Sequence, residues 1–372
     1  MMFSSEELRR YNRHIILPEL GMEGQQKLKA AKVAVIGAGG LGCPLLMYLA
    51  AAGVGTLGVI DGDIIEESNL HRQVLYNQED VGKSKVETAA EKLRKSNPFI
   101  NVIAIQETLT SENALTILGN YDIIVDGTDN FSTRYLSNDV SVILNKPLVS
   151  ASIFKFEGQL SVYNYQGGPS YRCLFPEPPG PGEMPSCSEA GVVGVLPGVL
   201  GTLQANEVIK VITGIGEPLS GKLLIFDLLT LRSSTIAFQR NEENFSITSL
   251  GNYDFNCEIP ELEFEPGYKE LTVQELKAKL DKKEQVFLLD VREEYEYEIC
   301  NLGGKLIPVN RIQQQVDQIP DNVPVVVYCH LGMRSAMVVK FLTEEFGFKN
   351  LYNLEGGIHA WSKQIDSNVP VY

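Results

Sequence analysis

Two stretches of this chain hold residue types at spacings that could do chemistry. The first is Cys329-His-Leu-Gly332-Met-Arg334-Ser335. It follows the apolar run Val325 to Tyr328 directly and leads into a helical pattern, Ala336 to Glu345. A thiolate there would face backbone N–H groups and the positive end of a helix, with Arg334 near as a counter-charge. Those surroundings stabilise an anionic sulfur, the nucleophilic form of cysteine. A buried cysteine closing a core strand is the plainer alternative, and Gly332, Arg334 and Ser335 around the thiol weigh against it. The second stretch is Val33-Ala-Val35-Ile36-Gly37-Ala-Gly39-Gly40-Leu-Gly42. It reads as a buried parallel strand, a tight glycine turn and a helix N-terminus, a frame whose N–H groups and helix dipole suit a phosphate. Pro44 falls in the first helical turn, where a missing N–H costs nothing. Asp61 closes the next strand, Leu57 to Ile60, about 20 residues on, where an acceptor for a ribose hydroxyl is expected. A nucleotide site is favoured over a bare structural turn; which nucleotide is left open by these residues alone.

The elements that must position these groups fall into two patterns. Up to residue 152 strands and helices alternate. The helix Leu41 to Ala52 ends at Gly53, residues 84–97 are amphipathic with Asn97-Pro98 as the stop, and strands follow at Val102 to Ile105, Tyr121 to Val125 and Leu148 to Ser152. The strand at Tyr121 empties into Asp126-Gly-Thr-Asp129-Asn130. This grammar predicts an α/β, doubly wound, mostly parallel Rossmann-like sheet, with ligands off the carboxyl ends of its strands. Residues 5–30 read as helical and polar. Gly158 to Tyr165 and Lys222 to Asp227 read as strands of an antiparallel extension, Gly198 to Ile212 as a helix, and 167–190 as a long loop rich in Gly and Pro. From Arg240 to Pro266 the chain turns acidic and aperiodic, as a linker does. A second α/β pattern begins near Tyr268, with a helix capped by Thr272 and Glu275 and a strand ending in Asp290-Val-Arg292-Glu293. The expected organisation is 1–240, a linker over 241–267, and 268–372.

Composition narrows the function. The 372 residues carry 32 Lys plus Arg against 47 Asp plus Glu, a net charge of -15, which argues against a nucleic-acid binder or an anionic-membrane binder. Met1 to Tyr11 contain no apolar run of the secretory kind, and the most apolar stretch, Val192 to Leu203, is too short to span a bilayer. Six cysteines are scattered with no dense framework, as suits a reducing compartment. A cytosolic (cytoplasmic) enzyme is expected.

The Cys329 loop, together with Asp290-Val-Arg292-Glu293, Glu355-Gly356-Gly357 and Trp361, resembles the rhodanese sulfurtransferases over residues 268–369. The resemblance implies that Cys329 carries a persulfide held by the loop amides. Related phosphatases have a wider loop that fits phosphate; here four residues, His330 to Met333, separate Cys329 from Arg334, which favours a terminal sulfur. The first 250 residues resemble the ubiquitin-activating superfamily, specifically the bacterial enzymes that adenylate the molybdopterin-synthase and thiamine sulfur carriers. The motifs that carry this are Arg13 in Arg10 to Pro18, the turn Gly37 to Gly42, Asp61-Gly-Asp63, Ser68-Asn69-Leu-His71-Arg72-Gln73, Lys85, and Asp126 to Asn130.

This second resemblance implies a set of roles. A carboxylate attacks the α-phosphate of ATP, so cations must neutralise charge building toward pyrophosphate; Arg72 and Lys85 fit that role. Gly37, Gly39, Gly40 and Gly42 would cradle phosphate, and Asp61 would take the ribose. Asp129 would handle magnesium, Asn69 and Gln73 would orient phosphate or metal, and Arg13 would reach ATP across a homodimer interface. Each charged group could instead be an ordinary surface charge. Cys187 matches a cysteine that some relatives bond covalently to the carrier; a loop thiol with no role is the alternative. The resembling enzymes hold structural zinc with two Cys-x-x-Cys pairs, and here the matching positions are Ser170, Cys173, Asp254 and Cys257, a poor zinc cage. No structural zinc is expected. Cys43 and Cys300 are expected to be packed thiols.

Taken together, the expectation is an adenylyltransferase fused to a sulfurtransferase. ATP and magnesium would activate the C-terminal carboxylate of a small ubiquitin-like sulfur carrier ending in Gly-Gly. A Cys329 persulfide, charged by a cysteine desulfurase or thiosulfate, would then yield the carrier thiocarboxylate. A tether of tens of residues between the halves gives effective concentrations of about mM. Two other readings stand beside it. One is a nicotinamide-dependent oxidoreductase fused to a rhodanese, in which Arg72, Lys85 and Asp129 would serve no purpose. The other is a non-catalytic docking protein, which would not need Cys329, Gly332 and Arg334 together.

Overall fold

The continuous apolar runs flanking the glycine turn form the centre of a parallel sheet in the computed structural model, which describes residues 2–179, 191–253 and 268–370. The chain divides into two units, Met1–Pro260 and Glu261–Tyr372. The first begins with three helices, α1 (Ser5–Arg10), α2 (Asn12–Ile15) and α3 (Gly21–Ala30), where the polar pattern predicted helical character throughout. Pro18 accounts for the break before α3, since it offers no N–H and disfavours helix at the residue before it. The alternation then follows as β1 (Lys32–Ile36), α4 (Gly42–Ala52), β2 (Thr56–Ile60), α5 (Lys85–Ser96), β3 (Asn101–Ile105), α6 (Ala114–Leu118), β4 (Ile123–Asp126), α7 (Phe131–Ile143) and β5 (Leu148–Phe154). The extension comprises β6 (Glu157–Tyr163), α8 (Val195–Thr213), β7 (Lys222–Asp227) and β8 (Arg232–Ala237).

These eight strands form one sheet in the order β3-β2-β1-β4-β5-β6-β7-β8. The first five run parallel, and β6, β7 and β8 are added antiparallel. One face is covered by Leu45, Leu46 and Leu49 of α4 with Leu196, Leu200 and Val208 of α8. On the other face Tyr135, Leu136 and Val140 of α7 pack with Tyr163 and Tyr171. Residues 241–253, placed in the linker from composition, lie on this first unit. Tyr253 is buried and its hydroxyl donates to Asp139 Oδ2 at 2.7 Å.

The second unit is built on β9 (Lys269–Leu271), α9 (Val273–Asp281), β10 (Phe287–Asp290), α10 (Glu294–Ile299), β11 (Lys305–Leu306), β12 (Val325–Tyr328), α11 (Met333–Phe346), β13 (Leu351–Leu354) and α12 (Gly357–Gln364). Thr272 and Glu275 form the expected capping box. The five strands are all parallel, in the order β11-β10-β12-β13-β9. Cys329 therefore leaves the central strand at its carboxyl end, where open parallel sheets place their ligands. Among the described residues no helix is long and apolar enough to cross a membrane.

Candidate functional site

Register sets the first site. Ile36 of β1 pairs with Ile60 of β2 on one side and with Asp126 of β4 on the other. The glycine turn after β1 thus lies between Asp61 and the loop Asp126 to Asn130, as the sequence predicted. The Gly37 N–H donates to Ile60 O at 2.8 Å. A Cβ on Gly42 would sit 2.0 Å from Gly37 O, so the turn closes only with glycine there. Asp61 is clamped onto the turn: Oδ2 accepts the Ala38 N–H at 2.8 Å and Oδ1 the Asp63 N–H at 2.9 Å. Each carboxylate oxygen keeps capacity for another donor such as a ribose hydroxyl.

The loop at 67–73 brings its side chains to the same turn. Gln73 is 3% exposed, and its amide nitrogen lies 3.6 Å from where a Cβ on Gly39 would be. Its Oε1 is buried without a hydrogen-bond partner. Arg72 runs past Gly40, its Cγ 3.5 Å from a Cβ built there, and its guanidinium donates to Ser68 O at 3.1 Å. Asn69 is buried, and its carbonyl accepts the Gln73 N–H at 2.9 Å. Lys85, the first residue of α5 and 6% exposed, places Nζ 2.8 Å from Asp63 Oδ2. The predicted phosphate cation is thus paired with an exposed carboxylate beside the ribose acceptor.

Asp129 is exposed just beyond β4, while Asp126 is wholly buried and accepts the Ser150 hydroxyl at 3.0 Å. Three features of this site carry little sequence signal. The Tyr76 hydroxyl sits 2.9 Å from Ala38 O and 3.2 Å from Lys85 O, tying the turn to α5. Gln204 of α8 donates to Asp126 O at 2.8 Å, and its Oε1 is buried without a hydrogen-bond partner. Arg134 Nε, also buried, is 3.6 Å from Asp126 Oδ2, an ion pair too long for a hydrogen bond. Buried polar atoms without partners are costly in a protein interior. Gln73 Oε1 beside a glycine turn fits a site that takes a polar ligand such as a nucleotide. Arg13 does not join it within one chain. A Cβ on Gly53, at the C-terminal end of α4, would meet the Tyr11 ring, so α2 lies by the end opposite the glycine turn, about 16 Å along the axis.

The second site forms around Cys329, which is 2% exposed. Its Sγ accepts the Gly332 N–H at 3.1 Å and lies 3.4 Å from Ser335 Oγ. Gly332 caps α11 with φ of +97°, a conformation that starts the helix at Met333 rather than at Ala336. Glu355-Gly356-Gly357 from the β13–α12 turn closes the loop: the Ile358 N–H donates to Cys329 O at 2.9 Å, and a Cβ on Gly357 would lie 2.4 Å from that oxygen. Arg334 was expected as a counter-charge to the sulfur. Its guanidinium instead makes a two-pronged pair with Glu296 of α10, both bonds 2.7 Å. His330 supplies little positive charge either, because burial and then the edge-on His359 ring at 5.6 Å lower its pKa. The Gly332 N–H, at the start of α11, donates directly to this sulfur.

Asp290 and Arg292 pair with each other at the carboxyl end of β10. Arg292 is 0% exposed, binds Asp290 Oδ2 at 2.6 Å and donates to Cys300 O at 2.8 Å. The bond to Cys300 O, with one from Nη1 to Glu296 O at 3.4 Å, holds the C-terminal half of α10 and hence Glu296. Replacing Arg292 with Ala leaves Asp290 buried without its cation, and about 3–5 kcal/mol of stability should be lost. Denaturant unfolding followed in the second unit checks this; a loss below about 1 kcal/mol would contradict the buried pair.

Relatives match this chain over nearly its whole length, across both units. A ThiF family model matches residues 11–247 and a rhodanese-like domain model matches residues 272–364. The chain belongs to the ThiF family. Over both units it is similar to "Probable adenylyltransferase/sulfurtransferase MoeZ" of Mycobacterium tuberculosis, 43% identical over 99% of this chain and 96% of that one. "Adenylyltransferase and sulfurtransferase MOCS3" of Culex quinquefasciatus is 42% identical over 99% and 90%. Among solved structures, Escherichia coli MccB with AMPCPP and MccA superposes with a TM-score of 0.54 and 29% identity, covering 62% of this chain and 72% of that one. The chain is accordingly an adenylyltransferase joined to a sulfurtransferase.

The remaining cysteines of the ThiF unit show where it departs from the zinc pattern. Cys43 is buried under the glycine turn, its thiol 3.4 Å from Ala38 O, and burial pushes it up to about 12, so it is a packed thiol and not a nucleophile. Cys300 of the rhodanese unit is likewise buried. Cys173 Sγ accepts the Asn241 N–H at 3.3 Å and lies 3.4 Å from Ser170 Oγ. Arg172 grips Asp139 through two bonds of 2.7 and 2.8 Å, and Tyr253 donates to the same carboxylate. The segments around 170–173 and 241–253 are joined by protein groups. Asp254, Cys257 and Cys187 lie outside the described residues. We expect the purified protein to hold far less than stoichiometric zinc by elemental analysis and a chelator to leave its melting temperature unchanged. Stoichiometric zinc whose removal lowers that temperature would contradict this.

Proposed function

We propose that the ThiF unit uses ATP to adenylate the C-terminal carboxylate of a small ubiquitin-like sulfur carrier ending in Gly-Gly, and that Cys329 then delivers sulfur to it. The observation that carries this reading is the convergence of Asp61, Arg72, Gln73 and Lys85 on the Gly37–Gly42 turn in a chain that also holds the Cys329 loop. The turn N–H groups cradle phosphate, Asp61 accepts a ribose hydroxyl, and Asn69 and Gln73 orient the triphosphate. Arg72 and Lys85 neutralise charge as the carboxylate attacks the α-phosphorus and pyrophosphate leaves. Asp129 would hold magnesium, an ion that takes few protein carboxylates and completes its shell with water and phosphate. Arg13 serves the site of a second copy, so the working form is a homodimer.

The terminal sulfur of the Cys329 persulfide attacks the acyl adenylate and AMP leaves, giving an acyl disulfide on Cys329. A second thiol, Cys187 in this reading, cleaves the S–S bond; the carrier leaves as a thiocarboxylate and the two cysteines are left as a disulfide for an external thiol to reduce. The persulfide is charged by a donor such as a cysteine desulfurase or thiosulfate, in the cytoplasm and within molybdopterin, thiamine or related sulfur metabolism. ATP–pyrophosphate exchange tests the first half. It should depend on added carrier and disappear with a carrier lacking its last two glycines. Exchange that is indifferent to the carrier tail would overturn the reading.

A further inference from the structure

We propose that Asn353 is a positioning residue for Cys329: its buried amide, acting through the Ser335 hydroxyl, sets whether the sulfur receives a second hydrogen bond. Ser335 is fully buried and its Oγ has three acceptors within reach, Asn353 Oδ1 at 2.7 Å, Gly332 O at 2.9 Å and Cys329 Sγ at 3.4 Å. A hydroxyl has one proton, so only one of these can take it at a time. With the amide oxygen toward Ser335, the shortest contact wins and Sγ keeps only the Gly332 N–H.

A half-turn of the Asn353 amide reverses this. Its NH2 then donates to Ser335 Oγ, and the serine proton is left to Gly332 O and the sulfur, of which an anionic sulfur attracts it more strongly than a neutral carbonyl. Carboxamide O and N occupy nearly the same space, so the swap needs no repacking. The neutral thiol suits the first arrangement, and an anionic thiolate or persulfide, which gains most from charge-assisted bonds, suits the second.

The place of Asn353 supports this role over a packing one. It lies on β13 two residues beyond Leu351, on the face where Leu351 joins the apolar core. It is 4% exposed and pairs in register with Val327, two residues before Cys329. An apolar side chain would satisfy that position without the cost of burying an amide. Among the described residues, the charged and titratable groups around the loop include the Arg334–Glu296 pair, the Asp290–Arg292 pair and the edge-on His330 and His359, and the bond between Asn353 and Ser335 involves none of them.

The proposal rests on Cys329 as the sulfur-bearing residue, so the test reads that thiol directly and needs neither ATP nor carrier. Full-length protein is alkylated with iodoacetamide, and the Cys329 peptide is followed by mass spectrometry from pH 6 to 10. Ser335→Ala and Asn353→Asp should each slow alkylation at neutral pH by about tenfold, the worth of one hydrogen bond to a charged group, and move the half-maximal rate to higher pH. Aspartate can only accept, so it holds the serine proton away from the sulfur. In a Ser335→Ala background Asn353→Leu should add nothing, because the coupling runs through the hydroxyl, and Asn353→Asp should keep only the smaller direct effect of its charge on the sulfur. If the aspartate variant fails to fold, Asn353→Leu alone carries the test, with a loss of a few fold that vanishes in the Ser335→Ala background. Wild-type reactivity in both Asn353 variants, or an equal loss with and without Ser335, would overturn the relay while Cys329 stays reactive. A Cys329 that alkylates at no pH in the wild type would overturn the sulfur-transfer reading as well.

Discussion

Replacing Cys329 with Ala should abolish thiocarboxylate formation on the carrier, by more than about a thousandfold, while leaving ATP–pyrophosphate exchange within about twofold of wild type. Loss of the attacking group in a covalent mechanism costs at least this much. The sparing of exchange follows from where the two chemistries sit. The Cys329 sulfur is held by Gly332 and Ser335 over a core of Leu289, Val325, Val327 and Leu351. The glycine turn belongs to a different sheet with its own core around Leu45, Leu49 and Leu200. Removing one buried sulfur destabilises by about 1 kcal/mol, too little to unfold either unit. Exchange and product formation measured on the same preparation check this. A parallel loss of both would contradict two separable steps.

The second large effect is expected at the other site. Arg72→Ala should lower carrier-dependent pyrophosphate exchange by about 100–1,000-fold, the usual cost of removing one preorganised group from a site of developing charge. Its stability cost should be small, since among the described residues the guanidinium bonds only Ser68 O and the His71 ring. Arg72→Lys should recover only part of the loss, because a point charge does not reproduce a planar fork. The control is thiosulfate–cyanide sulfur transfer by the rhodanese unit, which should be unchanged. An Arg72→Ala enzyme with near wild-type exchange would remove Arg72 from the phosphate site.

Much of this was legible in the chain because the signals are local. A run such as Val33 to Ile36 ending in glycines can be little other than a buried strand and turn, and both Asp61 and Asp126 to Asn130 follow such runs. Parallel pairing then brings them together with no further information. What escaped depends on partners distant in sequence. β8 is exposed at all six positions, so it carries no alternation and exists through its pairing with β7. Residues 241–253 look like a linker by composition, yet Tyr253 is held by Asp139, more than a hundred positions away. Arg334 reads as a partner for the sulfur until Glu296 is seen to claim both of its prongs. Tyr76, Gln204 and Asn353 are single polar residues in otherwise ordinary stretches. Nothing in their neighbours tells which backbone group or hydroxyl each will meet.

The most direct measurement is the intact mass of a candidate carrier after incubation with this protein, ATP, magnesium and thiosulfate. The carrier should gain the mass difference between sulfur and oxygen, only when ATP is present and only with Cys329 intact. Exchange of pyrophosphate with no such gain would contradict sulfur delivery by this chain. Failure of exchange across carriers ending in Gly-Gly would contradict the adenylation on which delivery depends.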